Sequence, residues 1–153
     1  MQHLRGHKHP VTGTTLAAQM GISVRTLYRD IASPSMTILY VDNAEQSGAF
    51  YARLLGQQPI EASTTFLLFV LANGLKLGLW SKHTCTPAPA TTGGGSELAM
   101  VVDDRAAVDA LYQSWSAAGM TVLQSPVLLD FGYTFVVADP DGHRVRVYTM
   151  IEA

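Results

Sequence analysis

Cysteine is nearly missing from this chain. Cys85 stands alone among 153 residues, so no internal disulfide can form and nothing points to an oxidising compartment. Charge is scarce as well: 14% of residues are charged against 48% hydrophobic, which excludes a disordered chain and describes one with a well-supplied core. No apolar run approaches the ~20 residues needed to cross a bilayer. The polar, basic N-terminus lacks the apolar stretch of a secretory signal, so residence in the cytoplasm and no membrane partner are expected. Catalytic constellations are absent too. Cys85 lies in a Pro-rich stretch with no base beside it, and the histidines are dispersed as His3, His7, His9, His83 and His143, without metal-ligand spacing. Asp139 and Asp141 read as turn builders.

What charge there is falls unevenly. Residues 1–34 carry Arg5, Lys8, Arg25 and Arg29 against Asp30, a net of +3, while the remainder nets −5. The head and the body are therefore separate pieces. In "TTLAAQMGISVRTLYRDIA" (14–32) the apolar residues Leu16 and Met20 precede Gly21, and Val24, Leu27 and Ile31 follow it. That spacing predicts two short helices broken by a glycine turn, with Ser23 as an N-cap. Such a pair is a helix-turn-helix pattern, and Arg25, Thr26 and Arg29 would lie on the outer face of its second helix, where DNA is met. The stretch "LAAQMGISVRTLYRDIA" resembles the DNA-binding part of DeoR/YafY-type winged-helix regulators. The helix expected before it is cut to "MQHLRGHKHP", and no wing follows.

From residue 36 onward the chain repeats itself. "ILYVDNAEQSGAFYARLLG" and "LAMVVDDRAAVDALYQSWSAAG" each run from a strand through Val-Asp into a helix that ends at glycine. Val41-Asp42 and Val102-Asp103 precede Tyr51 and Tyr112 by the same interval. Each half then carries a turn, Asn73-Gly74 or Asp141-Gly142, followed by an alternating strand. Both halves read β-α-β-β-β. The boundaries are module one at 35–82, a Pro/Thr/Gly-rich linker at 83–96 and module two at 97–150, within a domain spanning 35–153. Helical spacing places Phe50, Leu54 and Leu55 in the core from the first helix, and Val108, Leu111, Tyr112 and Trp115 from the second.

Strand alternation separates two kinds of face. Leu75, Leu77 and Leu79 oppose Lys76, Gly78 and Trp80; Leu98, Met100 and Val102 oppose Glu97, Ala99 and Val101; Val145 and Val147 oppose Arg144, Arg146 and Tyr148. The aliphatic faces belong against the helices. Lys76, Trp80, Glu97, Arg144, Arg146 and Tyr148 are left for the other side, with Tyr40 from the first strand and Phe131 and Tyr133 from "DFGYTF". Phe66 and Phe69 in "TFLLFV" cannot both join them, because their spacing is odd.

This duplicated plan resembles the vicinal oxygen chelate superfamily, which includes glyoxalase I, extradiol dioxygenases and bleomycin-resistance proteins. "YVDNAEQSGAFYARLLG", "SELAMVVDD" and "DPDGHRVRVY" carry the resemblance. It implies an α+β fold in which paired βαβββ modules curl a mixed sheet into a cup, here with a short helical appendage in front. It also implies four metal-ligand slots, which fall on Met36, Gly78, Glu97 and Arg146. Glycine has no side-chain donor and arginine no lone pair to give, so no metal and no cofactor is expected, and Arg146 becomes the natural ion-pair partner of Glu97. Without a metal, the aromatics of the cup would suit a planar aromatic guest, and the missing side chain at Gly78 suggests space beside Trp80. The chain resembles the phenazine-antibiotic resistance members in "LYVDNAEQSGAFY", "LWS", "SEL" and "DFGYTFVVADPDGHRVRV", which implies drug sequestration. A ligand-responsive regulator using the head, and a divergent lyase or isomerase, are the alternatives. Modules with open sheet edges and a long linker predict a homodimer.

The truncated head leads to a first prediction: it should bind DNA weakly or not at all. Sub-micromolar, sequence-specific binding in a mobility-shift assay at physiological salt, abolished by Arg25→Ala with Arg29→Ala, would show the opposite.

Overall fold

The computed structural model describes residues 34–151. Residues 1–33, including Arg25, Thr26 and Arg29, lie outside them. The described chain runs β1 (Met36–Val41), α1 (Ala44–Leu55), β2 (Glu61–Ala62), β3 (Phe66–Val70), β4 (Lys76–Ser81), then β5 (Glu97–Val101), α2 (Arg105–Ala117), β6 (Thr121–Leu128), β7 (Gly132–Ala138) and β8 (Arg144–Met150). The two modules have the same plan. Their sheets are ordered β1-β4-β3-β2 and β5-β8-β7-β6, each mixed, with the first strand parallel to the last and antiparallel pairs beyond.

The helices start at equivalent caps. Asn43 accepts the backbone N–H of Gln46 at 3.0 Å, and Asp104 accepts that of Ala107 at 2.8 Å, so each Val-Asp strand end leads into a side chain that satisfies an orphan donor. A parallel return from β1 to β4 needs a crossover, and α1 supplies part of it, covering one face of the sheet. On that face Val41, Leu67, Phe69, Leu77 and Leu79 are buried; in module two Val108, Trp115, Phe135, Val137, Val145 and Val147 do the same work. Trp115 stacks edge-on against Phe135 at 5.4 Å as a core residue. Of the expected first-helix core Leu54 is buried, Phe50 and Leu55 are only partly covered, and Tyr51 is the fully buried residue beside them.

The modules meet through the "DPDG" turn between β7 and β8. Asp139 Oδ1 accepts the backbone N–H groups of Asp141 and His143 at 2.9 and 2.8 Å, which is the turn-building role. Its other oxygen accepts the hydroxyl of buried Tyr51 on α1 at 2.9 Å. Asp141 accepts the backbone N–H of Asp42 at 2.9 Å and the Ser47 hydroxyl at 3.3 Å. His143 Nε2 donates to the Tyr40 carbonyl at 2.8 Å. One turn thereby ties module two to both β1 and α1. Burial, followed by the nearby Asp139 charge, raises the Tyr51 phenol far above its ordinary range, so it remains a donor.

The linker folds back onto this junction. Cys85 is buried, and a side chain at Gly93 would run into the backbone of His143 and Gly142. Close backbone approach, more than flexibility, explains glycine there.

Tyr51→Phe removes one inter-module donor and leaves an Asp139 oxygen short of a partner. A loss of about 1.5–3 kcal/mol is expected, the range for a hydrogen bond to a charged group, read from the shift of a urea unfolding midpoint.

Candidate ligand-binding site

The face of module one away from α1 is laid out by register. β1 sets Met36, Ile38 and Tyr40 beside Lys76, Gly78 and Trp80 of β4, and β3 sets Phe66 opposite Trp80. The indole lies 6.5 Å from the Tyr40 ring at 59° and 6.5 Å from the Phe66 ring at 87°. Phe66 takes the open face and fully buried Phe69 the core, as their odd spacing requires. Counting outward from a two-residue Asn73-Gly74 turn would pair Phe66 with Ser81; the observed pairing of Val70 with Lys76 is shifted by one and sets Phe66 opposite Trp80. The space expected over Gly78 is not empty: a Cβ there would sit 3.2 Å from two Phe66 ring carbons and 3.4 Å from Ile38 Cγ1. Gly78 is small because Phe66 lies across it. The accessible aromatic surface of this face is the Phe66–Trp80–Tyr40 rim.

Module two answers with a different choice of sizes. Glu97 and Arg144 register together, as do Ala99 with Arg146 and Val101 with Tyr148, so Arg144, Arg146 and Tyr148 take the places of Lys76, Gly78 and Trp80. Thr134 stands opposite Tyr148, where module one has Phe66. The smaller threonine leaves room for Arg146, whose Nη1 donates to Thr134 Oγ1 at 3.1 Å. Thr134 Oγ1 in turn donates a hydrogen bond to the Val147 carbonyl at 2.8 Å. Arg146 Nε donates to Glu97 Oε1 at 2.6 Å, with the side chains 17% and 34% exposed. The guanidinium also lies 5.6 Å from the Phe131 ring, which meets Tyr148 edge-on at 5.9 Å. This is a partly desolvated, charge-assisted pair, braced on one side by a hydroxyl and covered by a ring.

Lys76 and Arg144 share these faces, are exposed, and make no ion pair among the described residues. Tyr133 does not join them. Its hydroxyl donates to Asp109 on α2 at 2.7 Å and Arg105 stands 5.2 Å over its ring, which places it on the helix side. Alternation decides this, since Tyr133 is one residue from Thr134. The Asp109 bond, then burial, raises its phenol above the ordinary value, with Arg105 opposing. The Tyr40 phenol is raised by the Cys85 thiol beside it. Sequence reasoning left Phe66 and Phe69 as alternatives for the open face and gave no site role to Ile38 or Thr134, whose parts depend on cross-strand register.

The matched sequence profiles agree with this architecture. Residues 33–147 match the Glyoxalase/Bleomycin resistance protein/Dioxygenase superfamily. The chain belongs to that superfamily. Residues 1–44 match an HTH domain. Among proteins similar to this superfamily member is the phenazine antibiotic resistance protein EhpR of Enterobacter agglomerans, 28% identical over 127 residues, covering 77% of this chain and 95% of that one. The solution NMR structure of a protein from Agrobacterium tumefaciens is 55% identical with a TM-score of 0.73, over 79% of this chain and 99% of that one. A glyoxalase/bleomycin resistance protein/dioxygenase family enzyme of Burkholderia phytofirmans shares the fold at 24% identity and a TM-score of 0.68, over 78% and 100%.

The four slots that the superfamily resemblance assigns to a metal do not suit one. Glu97 is held by Arg146, Met36 offers only a thioether, and Gly78 offers nothing. Among the described residues no three His, Cys, Asp or Glu side chains converge. Protein purified without added metal should contain no stoichiometric Zn, Ni, Mn or Fe by mass spectrometry. Such a metal, lost on Glu97→Ala, would contradict the reading.

Proposed function

We propose that the protein is a metal-independent binder of a planar aromatic compound, sequestering it as an antibiotic-resistance protein would, without transforming it. One observation carries the proposal: where a metal ligand would stand, Arg146 is ion-paired with Glu97 and flanked by aromatic rings. Trp80, Tyr40 and Phe66 offer offset and edge-on contacts, worth ~0.5–1.5 kcal/mol per ring pair beyond burial. Arg146, Arg144 and Lys76 would address a polar or acidic substituent. The relative's name, phenazine antibiotic resistance protein, supports this ligand class. Residence in the cytoplasm is part of the same proposal; among the described residues no helix is long and apolar enough to cross a membrane.

The site is further proposed to be completed by a second copy. Met36, Ile38, Val101, Phe131 and Met150 are exposed on or beside the open faces, and among the described residues no ion pair or ring contact joins the face of module one to that of module two. Pairing module one of one chain with module two of its partner would cover these apolar groups and close a cup. Sedimentation at micromolar concentration should give twice the 16.5 kDa chain mass; a monomer would refute the dimer.

A ligand-responsive regulator is the second reading, favoured by the HTH match over residues 1–44. Ligand-sensitive, sequence-specific DNA binding would promote it.

Calorimetric titration with phenazine, in chelator, tests the main proposal. Trp80→Ala should weaken binding by ~1–3 kcal/mol and leave the fold intact. Unchanged affinity in Trp80→Ala, or binding that requires added metal, would overturn it.

A further inference from the structure

A second cleft, sharing no residue with the aromatic faces, opens on the opposite side of the domain. It has a volume of about 490 Å³ and lies between α1 and the segments that begin and end β6 and β7, within the range of small-molecule sites. One wall is a single stripe of α1, with Gln46, Ala49, Phe50 and Arg53 spaced for one helix face. Met120 and Pro140 stand on the other wall. Small residues keep it open: Ala49, Ala118, Gly119 and Ala138 all line it, and nothing lies within 4 Å of where a Gly119 side chain would begin.

The polarity of the cleft is one-sided. Asp139 borders it, but three donors already satisfy that carboxylate: Tyr51, Asp141 and His143. Arg53 is the opposite case. It makes no ion pair among the described residues, and one guanidinium nitrogen gives a long, exposed bond of 3.3 Å to the Ala118 carbonyl. Most of its five N–H donors are left over. Beside that cation lie the Phe50 ring and the Met120 thioether, an apolar and adaptable surface.

We infer that this cleft is a second binding site, for an amphipathic monoanion: a carboxylate paired with Arg53 and an apolar tail against Phe50 and Met120. Its walls belong to both modules, so an occupant bridges α1 to module two beside the Tyr51–Asp139 contact.

Octanoate is a suitable probe and 1-octanol its neutral control. In NMR titrations of the full chain, octanoate should produce saturable shifts at the Met120 methyl and the Ala49 and Gly119 amides, and none at the Trp80 indole. Arg53→Gln should weaken octanoate about threefold to tenfold, the effect of losing a partly exposed charged hydrogen bond, while octanol binding stays unchanged. Ala49→Trp, at an exposed helix position, should fill the cleft and abolish both, with the melting temperature retained. The inference fails if octanoate causes no saturable shift at these residues, or shifts them equally in Ala49→Trp. It also fails if Arg53→Gln leaves octanoate affinity unchanged. Because the Trp80 face is read in the same spectra, this failure is separable from failure of the aromatic site.

Discussion

Two parallel strand pairings, β1 with β4 and β5 with β8, are the constraint on which the rest of the domain depends. Parallel neighbours cannot be joined by a hairpin; they need a crossover, and in each module the crossover includes a helix that lies on one face. The covered face must then be aliphatic, and strand alternation leaves every second residue free of that duty. Leu77 and Leu79 are buried so that Lys76, Gly78 and Trp80 can differ from them in kind. Val145 and Val147 free Arg144, Arg146 and Tyr148 in the same way.

The duplicated plan allows the two open faces to diverge by exchanging volume between neighbours. Phe66 with Gly78 in module one corresponds to Thr134 with Arg146 in module two. A large ring over a glycine makes an aromatic shelf. A small hydroxyl beside an arginine makes a braced cation, with Glu97 balancing its charge. Each face carries both rings and cations, Trp80, Tyr40 and Phe66 with Lys76 on one and Tyr148 and Phe131 with Arg144 and Arg146 on the other, so the proposed cup would present both to a flat molecule bearing a polar group. The same divergence removes metal donors from the floor, since the positions are occupied by a glycine and a guanidinium.

Much of this was legible in the sequence because periodicity states faces directly. The βαβββ repeat and the aliphatic core faces follow from alternation and from the repeat, while the Glu97–Arg146 pairing follows from the metal-ligand slots that the superfamily resemblance implies. Tyr133 shows the limit. It was grouped with Phe131 because both flank Gly132, yet a strand begins at Gly132 and sends Tyr133 to the helix side. Phe66 over Gly78 needed the pairing of β3 with β4, a relation between strands that a single strand does not contain. The Tyr51–Asp139 contact joins residues 88 positions apart and was written in no local pattern; Asp139 showed only its turn chemistry.

The account stands or falls on where an aromatic guest sits. Intermolecular nuclear Overhauser effects between phenazine ring protons and the protein, recorded in chelator, measure that directly. The account predicts contacts to the indole of Trp80 and to the rings of Phe66 and Tyr148, with none to Tyr133. Contacts confined to the helix side, or contacts that appear only when a divalent metal is added, would contradict it.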